Sequence, residues 1–144
     1  MWQIRRPIMA VKNYSRKFSN GVTVVNCTPH PLNFLSPEGE TVVVPCSVPE
    51  GEKTGEAVIS ASSREVRVSD HLVKTEFLPS EEGLKILDRI EETFQGEKNV
   101  MVVGSIIAMN AYPGRVVGMI PAPGFERVPP AQKLMSVEKF NTAQ

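Results

Sequence analysis

The motif Thr28-Pro29-His30 follows a short apolar run and holds one of the chain's two histidines. A histidine titrates near neutral pH, and the prolines on either side of His30 restrict the backbone, so its imidazole is suited to donate to a ligand or to act as a general acid or base. Thr28 would close the same pocket. The alternative is a turn in which Thr28 and His30 satisfy only nearby backbone groups. No nucleophile motif accompanies His30, so no catalytic residue is assigned unless the protein is an enzyme that uses it.

Gly104 and Ser105 lie between an apolar run and a short helical pattern. A glycine permits close backbone approach, and a helix start presents free N–H groups, so the pair is suited to a phosphate or a carboxylate. Neither glycine-rich nucleotide fingerprint is present. The alternative is that Ser105 only caps the helix.

A third group combines aromatic, amide and guanidinium side chains after residue 109. Two aromatics could stack on a base, and two arginines could pair with a phosphate in fork geometry. Residues 114–139 carry a net charge of +2. The alternative is a Pro-rich loop packed by its aromatics, with solvated arginines. The predicted ligand residues of this group are Asn110, Tyr112, Arg115, Phe125 and Arg127.

We predict neither a metal site nor a cofactor. The two histidines, His30 and His71, have no second ligand at metal-binding spacing, and Cys27 and Cys46 form no C-x-x-C pair. No stretch approaches the length of a membrane span, and no export signal is evident, so a cytoplasmic protein with reduced cysteines is expected.

The net charge of zero is the sum of unlike parts. Residues 1–19 hold five basic and no acidic side chains, so the remaining 125 residues carry a net charge of −5. An acidic body excludes general DNA or RNA binding, because phosphate neutralisation dominates such affinity. Residues 1–20 are predicted to form a flexible basic arm. The alternatives are a true start codon near Met9 or later, and a nucleic-acid or targeting role.

The elements that position these residues follow from periodicity. Ser80, followed by two glutamates, marks the start of a long helix that Gly96 ends, and residues 106–112 predict a short helix. Residues 131–135 predict one helical turn, and the last residues are expected to fray. Strands are predicted at 22–26, 32–35, 41–44, 57–61, 65–69, 72–77, 99–103 and 116–120.

These elements predict a single α+β (or small α/β) domain over residues 21–144. One long and one short helix would pack on a mixed, mostly antiparallel sheet. A sheet of many short strands leaves edges to cover, so a homo-oligomer is expected. Edge strands of the 57–77 region would pair with a partner or with another copy.

The segment Asn26-Cys27-Thr28-Pro29-His30, with the apolar stretch after it, resembles the start of a family of small, mostly uncharacterised tailed-phage and prophage proteins. Residues 102–111, the turn Pro113-Gly114-Arg115 and the Pro-rich segment 121–130 extend the resemblance over roughly residues 22–130. Cys27 stands where an apolar residue such as Leu is expected. The resemblance implies a phage accessory protein in an infected bacterial cell, and no settled reaction.

By analogy with small phage proteins that counter host defence, we expect it to bind a small phosphorylated ligand. An example is a sponge for a nucleotide immune signal, either a cyclic nucleotide or an ADP-ribose derivative. Two alternatives stay open. One is a protein-interaction or virion-associated module without a small ligand, and the other is a nucleotide-cleaving enzyme that uses His30.

Overall fold

The computed structural model describes residues 10–144, and in that range the chain is an α+β protein, as predicted. One long helix, α1 (Glu81–Thr93), and one short helix, α2 (Ile106–Ala111), accompany mostly antiparallel strands. The strands are β1 (Ser15–Lys17), β2 (Thr23–Asn26), β3 (Leu32–Leu35), β4 (Thr41–Val44), β5 (Ala61–Arg67), β6 (Val73–Pro79), β7 (Val100–Val103), β8 (Gly118–Pro121) and β9 (Met135–Asn141).

Within residues 10–144 the strands divide into three sheets. The first has the order β1-β2-β7, with β2 parallel to β7. The second has the order β4-β3-β9-β8, with β3 parallel to β9. The third is the hairpin β5-β6, which pairs all seven residues of each strand.

The paired strands β2 and β7 separate two hydrophobic cores. Successive side chains of a strand point to opposite faces, so Val25 and Val102 join the core that α1 and α2 cover, and Val24 and Val103 join the core beneath the second sheet. Every residue of β2 is buried. The same two-sided environment explains why residues 100–103, which form β7, are an uninterrupted apolar run.

The two helices begin where the sequence predicts. The Ser80 side chain accepts a hydrogen bond from Gly83 N–H at 3.0 Å, and the Ser105 side chain accepts one from Ala108 N–H at 3.1 Å. Gly96, which follows the C-terminal end of the long helix, adopts a φ of 85°. Such a left-handed conformation favours glycine and turns the chain away from the helix.

The prediction of a flexible arm at residues 1–20 is wrong for the part that the structure describes. Val11 lies in a short 3₁₀ turn and is 1% exposed, and Phe18 is 5% exposed. The residues between Val11 and Phe18 include β1, which pairs with β2. The basic side chains of this segment point to solvent while its apolar side chains complete both cores. Arg5 and Arg6 lie outside the described residues.

Two other predictions differ from the structure. The sequence predicts no strand after residue 120, whereas β9 lies between β3 and β8 and buries Ser136 and Val137. Residues 57–60 are not a strand, although Ala57 and Ile59 are buried, and the hairpin begins at Ala61. In both places the chain's neighbours in space, rather than its own periodicity, decide the conformation.

Candidate functional site

Residues 26–30 form a self-contained turn that leads from β2 to β3. Asn26 is completely buried, and its side-chain amide donates to the carbonyl oxygens of His30 (2.8 Å) and Val44 (3.1 Å). Its side-chain oxygen accepts from Thr28 N–H at 2.9 Å. One buried amide therefore fixes three backbone groups, which gives this motif a structural reason for its residue types.

The Thr28 side chain takes part in the same turn, and the His30 side chain does not. The Thr28 hydroxyl, on a residue 7% exposed, lies 2.7 Å from the Asn26 side-chain oxygen and 2.9 Å from the His30 carbonyl oxygen. The Thr28 hydroxyl is thus engaged locally, as the turn alternative predicts. The His30 side chain is exposed beside the turn.

Gly104 and Ser105 connect β7 to α2. Gly104 is buried, and its N–H donates to the Val117 carbonyl at 3.1 Å. A Cβ atom at Gly104 would lie 2.7 Å from the nearest methyl of Val116, so the packing of the strand against residues 116–117 requires glycine here. Ser105 caps the helix. The packing of this turn accounts for both residues without a ligand.

Tyr112 is a core residue. It is 2% exposed, and its hydroxyl donates to the Ser60 carbonyl at 2.7 Å and accepts from Ser80 N–H at 2.8 Å. Ser60 and Ser80 would be the next pair beyond Ala61 and Pro79 at the base of the hairpin, and the hydroxyl bridges their backbone groups in place of a direct hydrogen bond. A Cβ atom at Gly83 would overlap this hydroxyl. The predicted stacking of Tyr112 on a ligand base is corrected, because neither face of the ring is open.

The Arg115 side chain forms ion pairs with two acidic residues of α1. Its guanidinium lies 2.9 Å from a Glu91 carboxylate oxygen and 3.4 Å from one of Asp88. It also lines a cavity of about 370 Å³, whose other lining residues are Leu87, Ile90, Glu91, Phe94, Gln95, Gly96, Glu97, Val100, Val102 and Gly114. An anion that used Arg115 would have to compete with two carboxylates.

The remaining predicted residues lie at the surface. The Asn110 side chain donates back to the Ile106 carbonyl at 3.0 Å, within its own helix. Phe125 is half-buried in the turn after β8, and Arg127 is exposed. Arg115 is the only one of the nine predicted ligand residues to line any of four cavities of about 370 to 460 Å³ in residues 10–144. None of these cavities brings two of the nine together.

Cys27 is a buried thiol within the first hydrophobic core. Burial raises the pKa of the Cys27 thiol to about 12, which keeps it protonated and unreactive. Over residues 10–144, no three metal-ligating side chains cluster, and no helix has the length and apolar character to cross a membrane.

The most distinctive surface is the hairpin β5–β6. Its apolar tip is open to solvent, with Val68 60%, Leu72 61% and Val73 48% exposed. The Arg64 guanidinium and the Glu76 carboxylate, on paired residues, lie 2.9 Å apart. The signals for this surface were the alternating pattern at 65–69 and the Asp70-His71 turn. The exposure of its apolar tip could not be predicted from them.

The base of the hairpin is anchored and its outer half is not. Ala61 and Phe77 pack against the core that contains Tyr112.

Comparison with protein-family models, curated proteins and solved structures finds no match to this chain. The structure itself therefore supplies the evidence for function.

Proposed function

We propose that the protein is an interaction module that binds an extended segment of another polypeptide along an open edge of the β5–β6 hairpin. One observation carries this proposal. Both hairpin strands are seven residues long, and within residues 10–144 neither has a second strand as a neighbour. Addition of a strand to such an edge is a general mode of peptide recognition, because the main chain supplies the hydrogen bonds.

The exposure of the hairpin supports a role in binding. A two-stranded hairpin alone is marginally stable in water, and proteins normally shield open edges and the apolar residues near them. Here Val68, Leu72 and Val73 remain exposed at the end that is distant from the core anchors. A bound polypeptide would cover these side chains and satisfy the unpaired backbone groups together.

The charge of the hairpin favours a polypeptide over a nucleic acid. Residues 61–79 contain three basic and three acidic side chains, so the surface offers no net attraction to phosphates. The Arg64–Glu76 ion pair further neutralises the central part of the hairpin. Recognition would then depend on backbone pairing and apolar contact.

A small phosphorylated ligand is the second candidate, and the Arg115 cavity is the observation that favours it. A nucleotide immune signal, such as a cyclic nucleotide or an ADP-ribose derivative, would place a phosphate on Arg115 in competition with Glu91 and Asp88. Calorimetric titration of such nucleotides would show heat that Arg115→Ala abolishes. Recovery of fragments rather than intact ligand would indicate an enzyme, with His30 as the residue to substitute. The phage origin and the host-cell location stay proposals that depend on the resemblance.

Site-specific photo-cross-linking in the producing cell tests the interaction module. A benzoylphenylalanine in place of Leu72 should cross-link to a polypeptide, and Val43, 53% exposed on β4, is the matched control position. The product should disappear when Glu65→Pro and Thr75→Pro are combined to block both hairpin edges. No polypeptide product from the Leu72 position, or a product that is indifferent to the blocked edges, would overturn the proposal.

A further inference from the structure

We propose, on the basis of the function proposed above, that the segment added to the hairpin is β6 of a second copy of this chain. The two β6 strands would run antiparallel, with the two-fold axis at Thr75. The two hairpins would then form one continuous four-stranded sheet.

The alternation of hydrogen-bonded pairs along the hairpin shows which backbone N–H and C=O groups of β6 point away from β5. Val68 N–H donates to the Leu72 carbonyl at 2.8 Å, so these two residues form a hydrogen-bonded pair. Hydrogen-bonded and non-hydrogen-bonded pairs alternate along an antiparallel ladder. The backbone groups of Val73, Thr75 and Phe77 therefore point away from β5. The Tyr112 hydroxyl, inserted between residues 60 and 80, continues the same phase at the base.

Composition favours β6 over β5 as the paired edge. The β6 sequence contains Val73, Thr75, Phe77 and Leu78, residue types that pack well in sheets. The β5 edge is dominated by serine, arginine and glutamate, and charged side chains discourage edge pairing.

Charge selects the register on β6. With the two-fold axis at Thr75, Lys74 lies opposite Glu76 of the second copy, and Val73 lies opposite Phe77 of the second copy. Lys74 and Glu76 of the two copies would form a non-hydrogen-bonded pair, where facing side chains are closest. An axis at Lys74 would oppose two lysines, and an axis at Glu76 would oppose two glutamates. The favourable register uses five residues within β6.

The β5 edge has a less extensive favourable register. An axis at Val66 would place Glu65 opposite Arg67 of the second copy. Only three residues, 65–67, would then pair within the strand, because Arg64 would lie opposite Val68, which is already in the turn.

The antiparallel arrangement also accounts for the exposed apolar side chains at both ends of the hairpin. Leu72 lies at the tip, and α2, which carries Ile106 (72% exposed) and Ile107 (46% exposed), packs against the base. Pairing about Thr75 brings the tip of each hairpin alongside the base of the other. The apolar groups that are separate in one copy would therefore lie near each other in the pair.

Charge-reversal variants test the register by sedimentation equilibrium. Lys74→Glu alone and Glu76→Lys alone should each weaken self-association roughly ten-fold or more, because two like-charge pairs replace two attractive pairs. A 1:1 mixture of the two variants should restore association. One variant then carries acidic side chains at both positions and the other carries basic ones, so both facing pairs are attractive again. Restoration also excludes misfolding of a single variant as the cause, and failure of the mixture to associate would overturn the register.

Proline substitution tests the edge independently. Thr75→Pro removes an outward N–H and no rung of the hairpin, and Glu65→Pro does the same on β5, at the residue paired with Thr75. Thr75→Pro should be monomeric and Glu65→Pro should remain dimeric. Wild-type protein that stays monomeric at every concentration would overturn the dimer. If Leu72 nonetheless cross-links to a different polypeptide in an edge-dependent way, the interaction module stands without the dimer. If neither is seen, both proposals fail.

Discussion

Replacement of Tyr112 by phenylalanine tests the role of this side chain, because the change removes one oxygen and leaves the ring in place. The hydroxyl bonds Ser60 O at 2.7 Å and Ser80 N–H at 2.8 Å. Each net hydrogen bond contributes about 1 kcal/mol, and a buried group left without a partner costs about 1–3 kcal/mol. Ser80 is only half-buried, so water recovers part of the loss. We expect the free energy of unfolding to fall by about 2 kcal/mol.

Urea denaturation followed by circular dichroism measures this change. With an m-value of about 1–3 kcal/mol per M, the midpoint should fall by roughly 1 M while m stays the same. Tyr14→Phe is the matched control, because the Tyr14 hydroxyl makes a 3.2 Å bond to Glu56 at the surface. Its loss should change stability by less than about 0.5 kcal/mol. Equal effects of the two substitutions would refute the assignment of the Tyr112 hydroxyl to the hairpin base.

The remaining predictions use the same denaturation assay and a thiol titration. Gly104→Ala should cost about 1–3 kcal/mol, since its Cβ would lie 2.7 Å from Val116, and a neutral effect would contradict the close packing. Asn26→Ala should cost about 3 kcal/mol because it removes the side-chain bonds to three backbone groups, and wild-type stability would show that the turn does not need the amide. Cys46 should react with a thiol reagent in the folded protein at pH 8, and Cys27 only after unfolding. Burial raises the pKa of Cys27 from the ordinary value of 9.0 to about 12, so the thiol ionises more readily in the unfolded chain and the free energy of unfolding should fall as pH rises above 9.0. Rapid labelling of both thiols in the native protein would contradict the burial of Cys27.

Local signals in the sequence predicted the helices well. Ser80 caps α1 as predicted, and Ser105 caps α2 as the alternative interpretation of that residue predicts, because a cap depends only on residues within one turn. The apolar run of β7 predicted burial on both faces for the same local reason. The segments that failed depend on distant contacts. β9 pairs with β3, where Met135 lies opposite Phe34, and Phe18 packs edge-on against the same Phe34.

The candidate site shows the same contrast between features that local sequence predicts and features that depend on distant contacts. The sequence predicts ligand binding at Thr28, His30, Gly104 and Ser105, whereas in the structure Thr28 belongs to a turn and Gly104 to a close strand contact. Sequence alone cannot distinguish a threonine that binds a ligand from one that binds the backbone. Gly83 was a usable signal that was missed, since a glycine inside a helix costs about 1 kcal/mol and indicates close approach, here by Tyr112.

Residue-resolved amide hydrogen exchange across the hairpin tests strand addition most directly, because it reports on individual N–H groups. In dilute protein the inward N–H groups of Lys74 and Glu76 should be protected, and the outward ones of Val73, Thr75 and Phe77 should exchange rapidly. In the associated protein, isolated at the concentration where a larger species sediments, the outward groups should become as protected as the inward ones. Rapid exchange of the three outward groups in the associated protein would contradict pairing at the β6 edge.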